Sequence, residues 1–225
     1  MQDIKIRDYD EAVRIIEEAG ILPLAPLIPN HPSLSGITAA ELWHTDTELD
    51  PWKWRVRFPA DGTAAYGKFI KKKAVFISSD LFPYIQAIVG SENSLEERYN
   101  DGLISKEMKE LFSIIKQEEG IETRALRAMA GMKDKEWKKP FDKALLELQG
   151  SFDIVIAGVK EKTNEAGEIN GWSSTSYETA EYWMNNANIS KCNLTTEKAK
   201  RHLYDRLAQT SSPEAMVFFG KIFKF

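Results

Sequence analysis

The sequence has one cysteine, Cys192, among 225 residues. An intrachain disulfide is thereby excluded, and a lone thiol suits a reducing compartment. Histidine is also scarce, at three residues, and no Cys/His spacing of a zinc site occurs. Glycine-rich phosphate loops and a serine–histidine–aspartate order are absent. No apolar run approaches the length needed to span a bilayer. The first residues, MQDIKIRDYDEAV, are acidic and mixed in character, unlike a signal or transit peptide. A cytoplasmic protein is therefore expected, with no membrane contact and no cofactor. Positive charge is not in surplus either: 30 Lys and Arg stand against 34 Asp and Glu, a formal net charge of −4. No global basic excess announces a nucleic-acid partner. There is no internal repeat, low-complexity tract or Pro/Gly/Ser linker.

What is present is apolar and aromatic. Hydrophobic residues make up 43% and aromatics 11%, with six tryptophans, which excludes a disordered chain and suffices for one good core or two small lobes. The stretch 105–178 organises the rest. SKEMKELFSIIKQ, with Ser105 as N-cap, sets Met108, Leu111, Phe112 and Ile115 on one helical face. ETRALRAMAG is a short second helix, with Leu126 and Met129 on one face, ending at Gly131. DKEWKKPFDKALLELQG is a third, with Trp137, Phe141, Ala144, Leu145 and Leu148 inward. Pro140 either kinks it or marks its first turn. FDIVIAG and GWSSTSY then read as two strands, with 153–158 paired antiparallel to 172–177 across a polar loop holding Gly167. Three helices and a hairpin are the winged-helix plan, used both for reading nucleic acid and as a plain scaffold. The stretch holds twelve Lys and Arg against fourteen Asp and Glu, so it offers little surplus charge for phosphate.

The remainder divides into an N-terminal α+β lobe (1–104) and C-terminal helices (179–225) packed on the rest. YDEAVRIIEEA is an amphipathic helix capped by Asp8 or Asp10, and ILPLAPLIPNHPSLSG is an ordered apolar loop. TAAELW carries a capping-box pattern, Thr38 with Glu41. WRVRF and AAYGKF read as strands joined at Ala60-Asp61-Gly62, whose Asp-Gly pair is a hairpin signal, and AVFIS as a third strand. SSDLFPYIQAIVG reads as a helix capped at Ser79 or Asp80. ETAEYWMNN, TTEKAKRHLYDRLAQ and PEAMVFFGKIF are helical, with Thr195 or Thr196 capping the second and Ser212 before Pro213 opening the third. The fold class expected is α+β, mostly α, with a small N-terminal antiparallel sheet, an embedded winged helix and C-terminal helices.

Two local patterns carry candidate chemistry. His44, Asp46, Glu48 and Asp50 alternate, and in an extended segment all four project from one side. Such a set could serve as acid and base on a water, with His44, Asp46 and Asp50 as the candidate catalytic residues. The plainer alternative is an acidic surface loop, and the spacing matches no strong metal motif. Second, from Lys53 to Lys73 seven basic residues meet one acid, interleaved with Trp52, Trp54, Phe58, Tyr66 and Phe69. Basic and aromatic residues together suit phosphate contact and base stacking. Trp52, Arg55, Arg57 and Lys68 are the candidate nucleic-acid contacts there, joined by Lys139 and Lys143 on the third helix of the 105–178 stretch. If WRVRF is a strand, Trp54, Val56 and Phe58 face the core and Arg55 and Arg57 face away. The Lys71-Lys72-Lys73 run is more commonly a solvated turn.

The segment AAELWHTDTELDPWKWRVRFPADGTAAYGKFIKKKAVFIS, together with GEINGWSSTSYETAEYW, resembles the bacterial AlkZ-related proteins, relatives of the winged-helix AlkZ/YcaQ-type DNA glycosylases. The WHTD…DPWxWRxR run is the most specific part of the likeness. The resemblance implies a winged-helix-containing protein of DNA-repair ancestry. Glycosylases of that kind hold the attacking water with a Gln-x-Gln or Gln-x-Asp motif and need no cofactor. No glutamine here, at 2, 86, 117, 149 or 209, stands in such a motif. Three readings follow: a protein binding duplex or branched DNA, a divergent glycosylase using a carboxylate of the 46–50 run, or a non-catalytic scaffold. Nothing in the sequence indicates an oligomeric state.

Overall fold

The computed structural model describes residues 5–160 and 173–225. The polar stretch expected to form a wing, 160–170, lies outside the described residues from 161 onward, as does Trp172.

An amphipathic helix opens the fold: α1 (Tyr9–Ala19), capped by Asp8 accepting from the Glu11 amide, with Tyr9, Ala12, Ile16 and Ala19 buried. Strand β1 (Ile21–Pro23) follows, where a loop was expected. The proline-rich stretch runs on to α2 (Leu34–Ile37), capped by Ser33, and a 3₁₀ turn at Ala40–Leu42. The capping box expected at Thr38 and Glu41 does not form. The Thr38 hydroxyl instead donates to the Leu34 carbonyl and accepts from the Trp43 indole, so other local partners take the hydroxyl that the box would need.

The main correction concerns residues 51–60. They form a helix, α3 (Pro51–Ala60), with Asp50 as its cap and Pro51 in its first turn. The β-branched and aromatic residues of WRVRF suggest a strand, but an Asp-Pro start is a strong helix signal and prevails. The Asp-Gly pair closes this helix rather than turning a hairpin: Gly62 lies at φ +75° directly after the Asp61 cap. A left-handed glycine serves both purposes, so the pair alone cannot distinguish them. The hairpin lies one step later, between β2 (Ala64–Ile70) and β3 (Lys73–Ser78), and turns at Lys71 and Lys72, both with positive φ. β1, β3 and β2 form an antiparallel sheet in that order.

Two helices lead on: α4 (Phe82–Val89), started by Pro83 with no side-chain cap from Ser79 or Asp80, and α5 (Leu95–Asn100), with a Ser94–Glu97 capping box. The 105–178 stretch then contains α6 (Lys106–Gln117), capped by Ser105, β4 (Ile121–Glu122), α7 (Thr123–Met129) and α8 (Lys138–Gly150). Met129, expected inward, is exposed, whereas Leu126 is buried. Pro140 sits in the first turn of α8, where its missing N–H costs nothing. The expected pairing holds between β5 (Ile154–Lys160) and β6 (Ser174–Thr179): Ile154 lies opposite Thr179 and Ile156 opposite Tyr177, antiparallel. β4 adds to the other edge of β6. Helices α9 (Ala180–Asn186), α10 (Thr196–Ala208) and α11 (Pro213–Phe223) complete the chain, capped by Thr179, Thr195 and Ser212.

Helix α3 lies between the halves. Trp54 and Phe58 join Tyr66, Phe76, Phe141 and Leu148 in one apolar cluster, while the Pro59 carbonyl accepts from the Trp183 indole, which belongs to a second cluster with Phe69, Phe82, Phe152 and Phe219. A buried glutamine ties sheet to helix: Gln149 Oε1 accepts from the Lys68 amide at 2.9 Å, and its Nε2 donates to the Leu145 carbonyl. Gln149→Leu leaves the Lys68 amide unpaired and is expected to lower unfolding stability by about 1–3 kcal/mol, measured by urea denaturation. An unchanged midpoint would show that this bond does not couple the two elements.

Candidate functional site

The 43–57 segment is built around one carboxylate. Asp50 is buried, and its two oxygens accept from the backbone amides of Trp52, His44 and Asp46 at 2.9, 3.0 and 3.1 Å. Gathering those amides bends the chain so that His44 and Asp46 take φ +62° and +59°. The four alternating residues 44, 46, 48 and 50 therefore do not lie along an extended face. Asp46 pairs with Lys53 at 2.8 Å, and the Glu48 carbonyl accepts from the Trp54 indole. Burial alone pushes the Asp50 carboxyl up, but the three amides and the neighbouring His44 outweigh it and hold the pKa below the usual carboxylate range. With its oxygens so engaged, Asp50 acts here as an organiser of the loop.

The segment does bring other candidates together. Trp52 remains 40% exposed; the Arg55 guanidinium lies 3.7 Å from its ring centroid and the His44 ring 5.0 Å away. Trp43 completes the group at 6.5 Å from Trp52. Arg55 itself is only 8% exposed. On a strand it would face outward, whereas on the helix it turns beneath Trp52 towards Tyr66, whose hydroxyl it attends. Burial raises the Tyr66 pKa, with Arg55 opposing. Arg55 Nε has no partner among the described residues. Arg57 stays exposed but spreads over the Tyr9 ring at 3.8 Å, while the Tyr9 hydroxyl donates to Asp61. Lys68 is exposed on β2, and Lys139 and Lys143 are exposed on α8. These three are not part of the Trp52 group. Lys143 pairs loosely with Glu147 at 3.6 Å.

Two features had no signal in the sequence. The first is a groove of about 1160 Å³ between α4, α5, α6 and residues 191–196, floored by Arg98 and residues 151–153; none of residues 43–57 lines it. The second is a carboxylate pair. Both oxygens of Glu119 accept from Thr179, through its amide and its hydroxyl. Glu178 lies beside it, and burial together with the Glu119 charge pushes Glu178 up to about 7. These groups lie 59 residues apart in sequence, so only the β4–β6 pairing brings them together. Among the described residues, no three His, Cys, Asp or Glu side chains come together as a metal cage, and no helix is long and apolar enough to cross a membrane.

Asp50→Ala is expected to cost about 2–3 kcal/mol, the sum of a lost helix cap and stranded amides. A depressed folded-state pKa means the stabilisation is complete above about pH 4 and is lost as the pH falls further. The melting-temperature gap between wild type and Asp50→Asn should thus be constant from pH 5 to 8 and narrow in acid. Glu178 has the opposite sign. Its raised pKa makes the folded state lose stability as pH rises from the ordinary carboxylate value through about 7. Glu178→Gln should remove that loss and melt higher than wild type at pH 8. Equal melting temperatures at pH 8 would contradict the burial of a charged Glu178.

Comparison with curated proteins and with solved structures found no match for the chain. The family model described as AlkZ related matches residues 6–224, from the bridge before α1 to the end of α11. The resemblance carried by the WHTD…DPWxWRxR run thus extends through both apolar clusters, and the chain belongs to the AlkZ-related family, which points to an ancestry in DNA repair.

Proposed function

We propose that this protein contacts duplex or branched DNA, with the unit from α6 to β6 acting as a winged helix. The order helix, strand, helix, helix, strand, strand from α6 to β6 supports this reading, which makes α8 the reading helix. The observation that carries the proposal is the charge at the end of the β2–β3 hairpin. Lys68, Lys71, Lys72 and Lys73 are all exposed, and none lies within bridging distance of a carboxylate among the described residues. The Gln149 bond sets this hairpin against the C-terminal half of α8, and on α8 the exposed Lys139 adds positive charge, whereas Lys143 is offset by Glu147. Trp52, partly exposed and backed by the Arg55 cation, supplies an aromatic edge for a base. Arg55 supports that ring from beneath and does not itself reach a phosphate.

The acidic overall balance makes the binding weak, and phosphate contact through lysines makes it strongly dependent on salt. The test uses the turn. Lys71→Asn with Lys72→Gly installs the pair that a tight hairpin prefers and removes two charges without straining positive φ. Adding Lys73→Gln removes a third. Duplex affinity at low salt should fall roughly tenfold or more, and the slope of log affinity against log salt should drop by about two to three, with little change in melting temperature. Wild-type protein that fails to shift duplex or branched DNA at low salt would overturn the proposal, as would a triple variant that binds as tightly as wild type.

A further inference from the structure

We propose that the groove between α4, α5 and α6 binds a small organic anion, a carboxylate or phosphate monoester with an apolar body, through Arg98 and Lys116. Its volume, about 1160 Å³, is at the scale of small-molecule sites. Its acids are mostly engaged already. Asp153 takes Arg98 Nη2 on one oxygen and the Ser151 hydroxyl on the other, each at 2.5 Å. Glu96 pairs with Lys109, Glu181 with Lys191, and Glu97 accepts from Ser94.

Two cations keep capacity. Arg98, on the floor, is 7% exposed; Asp153 takes up only Nη2 of its guanidinium, and what remains exposed faces the groove it lines, while Nε is enclosed by protein. Lys116, on the α6 wall, lies near enough to Glu119 to oppose the burial that raises its carboxyl, and adds to Lys191 in lowering Glu181, but it is exposed and bridges to neither. Thr196, the first residue of the 13-residue α10, lines the same groove, so that helix's positive end adds to the field. Phe112 and the exposed Leu194 supply an apolar surface for the ligand's body. The carboxylates around the rim oppose a polyanion, so a single small anion fits better than a nucleic-acid backbone.

The groove carries its own reporter. Cys192, the single cysteine, lines it and is half-buried. The full-length protein is treated with N-ethylmaleimide, and the modification rate is followed by mass spectrometry with benzoate, phenyl phosphate, inorganic phosphate or a single-stranded decanucleotide present. Benzoate or phenyl phosphate should slow modification severalfold and saturably, and the decanucleotide should not. Lys116→Gln removes a charged hydrogen bond and should weaken that protection by roughly tenfold, with an unchanged melting temperature; it avoids the folding risk of altering the buried Arg98. No protection by either aromatic anion at millimolar concentration would overturn the proposal. Protection unaffected by Lys116→Gln, or equal protection by the decanucleotide, would overturn it too. The decanucleotide result is read at Cys192 alone, so it is separate from the duplex-binding test of the hairpin lysines.

Discussion

The carboxylate of Asp50 is the constraint on which the middle of this structure depends. A buried negative charge without partners would be very costly. Three backbone amides converge on it, and the same contacts start α3. Once α3 is started there, its register follows. Trp54 and Phe58 face one apolar cluster, the Pro59 carbonyl meets the Trp183 indole of the other, and Arg55 turns under Trp52. A helix so placed couples the N-terminal sheet to β5, and it displays Trp52 in its first turn, beside a loop whose His44 and Asp46 are held in left-handed backbone. An acidic residue that reads as a candidate catalyst is thus accounted for by folding.

Charge in this molecule is arranged rather than abundant. The ion pairs on α8 and around the groove are largely exposed and contribute little to stability individually. They do determine which cations remain available. Lys138 and Lys143 have acidic neighbours one turn along α8, whereas the β2–β3 turn has none. Lys109 and Lys191 are committed to Glu96 and Glu181, whereas Lys116 is not. A chain of net charge −4 can still offer local positive sites when acids and bases pair off elsewhere, because screening limits the reach of exposed charges to about 10 Å. The hairpin end and the groove are two such sites, and their chemistries differ. The first is open and lysine-rich, suited to a phosphate backbone. The second is a half-open groove rimmed with acid, where we propose one small anion binds.

Much of the fold is legible in the sequence where one element suffices to show it. The amphipathic stripes of α1, α6 and α10, the serine and threonine caps, and the β5–β6 pairing all follow from local spacing and turn chemistry. Reading failed where two local signals competed. WRVRF has the composition of a strand, and the Asp-Gly pair suits a hairpin, yet the Asp50-Pro51 start and the left-handed Gly62 belong equally to a helix. Thr38 and Glu41 have the pattern of a capping box, but the Trp43 indole claims the hydroxyl.

By itself, the sequence determined the α-rich α+β class, the lack of intrachain disulfides, the caps at Asp8, Ser105, Thr195 and Ser212 and, through the WHTD…DPWxWRxR run, the family. Each of these depends on residues near one another in the chain, or on composition. Tertiary structure alone decided which charges are usable. Arg55 is buried because α3 is a helix packed on β2 and β5. Glu178 is pushed up to about 7 because packing buries it and sets it beside Glu119. The groove exists because α4, α5, α6 and the 191–196 segment surround Arg98. Burial and Coulomb interaction depend on distance in space, and in a chain whose partners lie tens of residues apart, that distance is set only by packing.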